Sequence, residues 1–251
     1  MARYDFRSPR LFVQAVLAPE AAVALDRAQA NYLVNVMRLR PGDTVLVFNG
    51  RDGEWRAELR LEGKKHASLA LGEQTRPQPA AGDLHYLFSP LKHARLDYMV
   101  QKAVEMGATR LQPVLTRHVQ AERVNLTRMR ANTVEAAEQC GILHLPEVAE
   151  PLPLPRLLAA FDPARVLVFC DEDADVKDPV AALAAERPTT APPAPLAVLI
   201  GPEGGFAAEE RDAILRLPHV VRLSLGPRIL RADTAAVAAL ALVGAVLGDW
   251  R

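Results

Sequence analysis

Two short stretches bring together the residue types from which a ligand site can be built. The first is Gly201-Pro202-Glu203-Gly204-Gly205; the second runs from Gly226-Pro227 through Arg228-Ile229-Leu230-Arg231 to Ala232-Asp233-Thr234. Glycine permits positive φ and lets a ligand reach bare backbone, while Pro202 stiffens its turn and removes one donor. The wording argues against a phosphate cradle. Neither the Gly-Lys-Ser/Thr ending nor the G-x-G-x-x-G spacing is present, and Glu203 would repel a phosphate. The charged residues of the two stretches are Glu203, Arg228, Arg231 and Asp233.

Each stretch needs a strand before it and a helix after it, and the pattern supplies both. Residues 196–200 are continuously apolar, as in a strand buried on both faces, and 207–216 begin a helix with acids in its first turns. Residues 220–225 form another short strand, and 233–247 a helix apolar nearly all round, suited to a core or to a dimer interface. Strand, loop, helix puts both loops at strand carboxyl ends, where open α/β sheets bind ligands. Upstream, strands at 84–89 and 111–115 flank a helix at 95–106 that stops before Gly107, giving a βαβ unit and a parallel sheet. A further helix spans 125–141. The buried strand 165–169 ends in Cys170-Asp171-Glu172-Asp173-Ala174-Asp175, which reads as a solvated acidic loop rather than a Mg²⁺ site, since no histidine or phosphate-binding lysine accompanies it. Residues 1–76 read as a separate β-rich domain. Within it 55–61 alternates strictly, further strands are expected at 11–17, 44–48 and 66–71, and a short helix at 28–40. Residues 76–82 and 188–195 have the composition of linkers, and Gly63 marks a turn.

Half of the 251 residues are apolar and 24% are charged, as in an ordinary soluble protein with a sizeable core. No apolar run reaches eighteen residues and the N-terminus lacks a signal core, so a cytoplasmic protein is expected. Cys140 and Cys170 lie far apart without metal-ligand spacing and are expected as reduced thiols. Net charge is zero, yet its distribution is uneven. Residues 84–130 carry 8 basic and 3 acidic side chains, and 131–187 carry 4 and 11, so a local basic face can bind phosphates.

GPEGGF followed by LGPRILRADTA resembles the RsmE family of the SPOUT RNA methyltransferases. SPLKHARLDYMVQKAVEMGATRLQPVLTRH, the EAxEQ signature at Glu135–Gln139 and NYLVNVMRLRPGD extend the likeness over nearly the whole chain. The resemblance implies methylation of N3 of uracil 1498 in 16S ribosomal RNA of the 30S subunit, with S-adenosylmethionine as cofactor and no metal. It implies an α/β fold: a SPOUT-type parallel sheet with a C-terminal trefoil knot at 77–251, dimerising, behind a PUA-like, β-barrel-like RNA-binding domain at 1–76. Three loops would enclose the cofactor, that after Cys170 being the first. Expected contacts are Leu199, Ile200, Gly201, Pro202, Gly204, Gly205, Leu223, Leu225, Gly226, Ile229 and Leu230. Arg7, Arg10, Arg38 and Arg40 are expected to meet RNA phosphates, and Lys92, Arg95, Lys102 and Arg117 to form a second RNA-facing surface. For the chemistry, Arg231 would hold the uracil oxyanion, with Glu203 and Asp233 as bases or orienting groups. Two departures stand out: Ile142 where the family usually has arginine, and Ala232-Asp233 where it more commonly has Thr-Glu. A non-catalytic ribosome-assembly factor of the same fold is the alternative. A hydrolase is disfavoured by the lack of a G-x-S-x-G elbow.

Overall fold

The computed structural model describes residues 5, 7–62, 66–121, 123–176, 178–186 and 194–250. The expected Gly63 turn and most of the 188–195 linker lie outside them. The chain divides into two compact units, 1–81 with 134–145, and 82–133 with 146–251.

The first unit is built on β1 (Arg10–Phe12), β2 (Ala22–Ala24), α1 (Arg27–Asn31), β3 (Thr44–Phe48), β4 (Glu54–Glu62) and β5 (His66–Arg76). The sheet order is β1-β3-β4-β5-β2; β1 runs parallel to β3 and the other pairs are antiparallel. The alternation in β4 has its expected result as far as Leu59, while Leu61, expected on the same apolar face, is exposed near the strand's end. Trp55, Ala57 and Leu59 are buried with Val45, Val47 and Leu69, while Arg56 and Arg60 face outward. Only two residues of the expected 11–17 strand, Leu11 and Phe12, pair. The helix is also shorter than expected: Asp26 and Gln29 cap α1 reciprocally, and the chain then widens into one π-type turn, Tyr32–Val36, where the Met37 N–H donates to the Tyr32 carbonyl at 2.9 Å. Arg38, at φ 58°, ends it. Glu54 is buried and accepts from Arg10 at 2.9 Å, Arg76 at 2.6 Å and Thr75 at 2.8 Å; these bonds hold its carboxyl below the usual glutamate range despite burial, which pushes the other way.

The second unit runs β6 (Leu84–Phe88), α2 (His93–Glu105), β7 (Arg110–Leu115), α3 (Leu126–Cys140), β8 (Glu147–Val148), β9 (Leu152–Pro153), α4 (Leu154–Ala159), β10 (Val166–Cys170), α5 (Pro179–Ala184), β11 (Leu196–Ile200), α6 (Ala208–Leu215), β12 (Val220–Leu223) and α7 (Ala232–Val246). Residues 134–140 of α3 belong to the first unit. The sheet order is β12-β10-β11-β6-β7-β8, with β9 also on β7, and every pair is parallel. Such a sheet must be covered on both faces, and β11 shows it residue by residue. Leu196, Val198 and Ile200 pack into a core shared with α2, α5 and α7, while Ala197 and Leu199 pack into a second core shared with α4 and α6. All five residues of β11 are buried.

Candidate functional site

Because β12, β10 and β11 are parallel neighbours, the loops leaving their carboxyl ends converge. Residues 170–173, 201–203 with 205–206, and 223–230 line one cavity of about 360 Å³, closed on one side by Ala232 and Ala235 of α7. That is the size of a small-molecule site.

Of the expected cofactor contacts, nine line this cavity: Ile200, Gly201, Pro202, Gly205, Leu223, Leu225, Gly226, Ile229 and Leu230. Two lie elsewhere. Leu199 is fully buried in the core on the other sheet face, and Gly204 turns towards His118, whose Cβ stands 3.2 Å from where a Gly204 side chain would begin. The other two glycines of that turn are close-packed: a Cβ on Gly201 would meet the Phe206 ring at 2.5 Å, and one on Gly205, at φ 68°, would meet Glu172 Oε1 at 2.7 Å. Ile229 is 100% exposed at the cavity wall.

The acidic segment is not a uniformly solvated loop. Asp171 is buried and bonded to Arg211 of α6 and Arg222 of β12, 2.8 Å each, at the same cavity wall that Glu172 and Asp173 line. Among the described residues no group of three His, Cys, Asp or Glu side chains is placed to hold a metal ion. Cys170 lines the cavity, but burial pushes its thiol up to about 12, so it is neutral and not a nucleophile.

The three expected reaction groups are placed differently. Glu203 lines the cavity and pairs with Arg95 of α2 at 3.3 Å. Arg231 is exposed immediately before α7, and Asp233, in the first turn, accepts from the Thr234 N–H at 3.0 Å. Beside Glu203 lies a polar patch that contains the expected RNA contact Arg117 together with His118. His118 Nδ1 sits 3.2 Å from the Gly205 carbonyl, the Arg117 N–H donates to Glu210 at 2.8 Å, and the Arg117 guanidinium lies 3.6 Å from Glu209.

Of the remaining expected RNA contacts, Lys92 is exposed at the start of α2, and the Lys102 ammonium bonds Glu105 at 2.7 Å while lying 5.5 Å from the centre of the Tyr98 ring. In the first unit Arg7, Arg38 and Arg40 are exposed. Arg10 is not: its side chain is 4% exposed and paired with Glu54, which leaves no face for a phosphate.

The RNA methyltransferase domain family matches residues 77–244, and the RNA methyltransferase PUA domain matches 25–71. The chain is 32% identical over 254 aligned positions to the ribosomal RNA small subunit methyltransferase E of Synechocystis, covering 96% of this chain and 81% of that protein. It is 27% identical to the protein of the same name from Rickettsia conorii, covering 93% and 94%. Among solved structures, the ribosomal RNA small subunit methyltransferase E of Neisseria gonorrhoeae bound to S-adenosyl methionine superposes with a TM-score of 0.81 at 25% identity, over 98% of this chain and all of that one.

Proposed function

The chain belongs to the ribosomal RNA small subunit methyltransferase E family, and from that membership we propose that it methylates N3 of uracil 1498 in the 16S rRNA of the 30S subunit, using S-adenosylmethionine. The observation that carries this reading is the convergence of three loops from adjacent parallel strands on one cavity. The donor set fits this cofactor. Leu223, Leu225 and Ile200 offer apolar surface to an adenosine, the glycine turns offer backbone, and carboxylates outnumber guanidiniums in the lining by four to two. An acid-rich wall suits a ligand with sulfonium and ammonium charges and repels phosphates.

When bound, the cofactor supplies an electrophilic methyl group, so the chain must place the uracil in line and remove its N3 proton. Glu203, at the cavity wall, is the proposed base, and Arg95 beside it holds the carboxylate in place. Arg231, exposed ahead of α7, is the proposed partner of the uracil oxyanion, and Asp233 orients that helix start. The target base must leave its stack, at roughly a few kcal/mol. Lys92, Lys102 and Arg117, with Arg7, Arg38 and Arg40, form the proposed RNA-binding set. Arg38 supports it: a long cation kept at positive φ carries a local strain of about 1 kcal/mol or more that folding alone does not require of arginine.

We further propose the division into a PUA-like module at 1–76 and a knotted methyltransferase domain at 77–251, a cytoplasmic location, and a homodimer. The apolar α7 and the exposed Ile229 suit a dimer interface. Among the described residues no helix is long and apolar enough to cross a membrane. The test is calorimetric titration of S-adenosylmethionine, followed by transfer of its labelled methyl group to 30S subunits and mapping of the modified base. Cofactor-dependent label at N3 of uracil 1498 is expected. A folded protein that binds the cofactor but labels no 16S rRNA would overturn the reading in favour of a non-catalytic factor.

A further inference from the structure

We propose that Asp171 is the positioning residue of the cavity: one buried carboxylate that ties its three loops into a single shape. The proposal rests on the cofactor reading above and adds what holds the site together. Asp171 immediately follows β10, and its side chain is 4% exposed although it is charged. A buried carboxylate costs several kcal/mol unless its oxygens are well paired. Here they are. Oδ1 stands 2.7 Å from Arg211 Nη2, and Oδ2 accepts from Arg222 Nε at 2.8 Å.

The origin of these partners gives the arrangement its meaning. Arg211 lies in α6, the helix that leaves the glycine-rich loop, and Arg222 lies in β12, the strand that enters the third loop. The backbone joins in. The Asp171 N–H donates to the Leu223 carbonyl at 3.1 Å, Arg222 Nη2 donates to the Asp173 carbonyl at 3.0 Å, and Arg211 also pairs with the Asp173 side chain. All three loops are thereby fixed to one point within a few residues of the cavity wall. The next residue, Glu172, reaches Gly205 so closely that a Cβ there would collide with it. A displaced Asp171 backbone therefore carries Glu172 against the glycine turn.

A purely stabilising ion pair would behave otherwise, and the same unit contains one. Arg165, with its side chain 9% exposed, meets Asp83 through Nη1 at 2.7 Å and Nη2 at 3.0 Å; these residues precede β10 and β6, at the amino ends of the strands, away from the cavity at their carboxyl ends. Asp83→Asn is thus the control for lost stability without loop displacement.

The experiment compares full-length wild type, Asp171→Asn, Arg222→Gln and Asp83→Asn by thermal unfolding, calorimetric S-adenosylmethionine affinity well below each Tm, and backbone hydrogen exchange without cofactor. Asp171→Asn and Arg222→Gln are expected to weaken the cofactor about tenfold or more and to speed exchange in 201–206 and 224–231. Asp83→Asn is expected to lower Tm comparably, with affinity within about twofold of wild type and unchanged exchange in those loops. Arg222, partly exposed, keeps the test alive should Asp171→Asn fail to fold. Equal loss of affinity in all three variants, or unchanged exchange in the loops, overturns the proposal. Failure of the wild type to bind S-adenosylmethionine overturns the cofactor reading instead, and the exchange comparison still decides the role of Asp171.

Discussion

The glycines of the second and third loops look interchangeable, yet Gly204, Gly205 and Gly226 answer different demands. Gly205 has both a positive φ and no room for a Cβ beside Glu172, whereas Gly226, at φ 94°, has nothing within 4 Å of its absent side chain. Gly205→Ala must therefore move Glu172 or the turn, and Gly226→Ala bears only backbone strain of about 1–2 kcal/mol. The expected outcome is a cofactor affinity lowered about tenfold by Gly205→Ala and changed far less by Gly226→Ala, read by calorimetry on both variants. Gly204 points at His118 and is the least informative of the three. Their presence was legible in the sequence. Which of them face the cavity was not, because that depends on the loop's exact path. Asp171 was illegible for a related reason: its partners lie 40 and 51 residues downstream, and four acids in a six-residue window read as solvated until α6 and β12 return to them.

At the scale of elements, periodicity succeeded where packing is two-sided or strictly alternating. β11 and β4 lie where their patterns put them, and α2 and α7 differ from expectation by a residue or two at their ends. The N-terminal helix failed, because a π-type turn and a left-handed arginine leave no trace in an apolar count. α7 shows how much an element's role depends on its surroundings. Its run of small residues is uniform in sequence, but Ala239 is completely buried against the sheet while Ala235 lines the cavity. Ala239→Leu should overpack the core and cost about 1–3 kcal/mol in chemical denaturation, with cofactor affinity preserved once folded. Ala235→Leu should do the reverse, costing little stability and filling part of the cavity, so that S-adenosylmethionine binding weakens by about tenfold or more. Equal behaviour of the two variants would mean that the cavity wall is misassigned.

For the molecule as a whole, a net charge of zero hides two opposed properties, one felt by RNA and one by folding. The basic excess before residue 131 should make 30S binding fall steeply with salt, and Arg38→Ala with Arg40→Ala should flatten a plot of log affinity against log salt by roughly 0.7–0.9 per lost phosphate contact. Cofactor affinity of that variant should not change. Folding responds instead to pH, through His85. This residue of β6 is half-buried with Nε2 3.3 Å from Asp83, yet burial, helped by Arg165, outweighs that carboxylate and depresses its pKa from 6.5 to about 4. The contact with Asp83 is therefore made by a neutral imidazole at pH 7, not by an ion pair. Between about pH 6.5 and 4 the unfolded chain binds a proton there that the folded chain refuses, so stability is fully present above pH 6.5 and is lost as pH falls through that window. From pH 7.5 to 5 the loss from this one group is about 2 kcal/mol. Urea denaturation of wild type and His85→Gln at both values should show that difference in the wild type and its absence in the variant. Equal acid sensitivity of the two proteins would place the titrating group elsewhere.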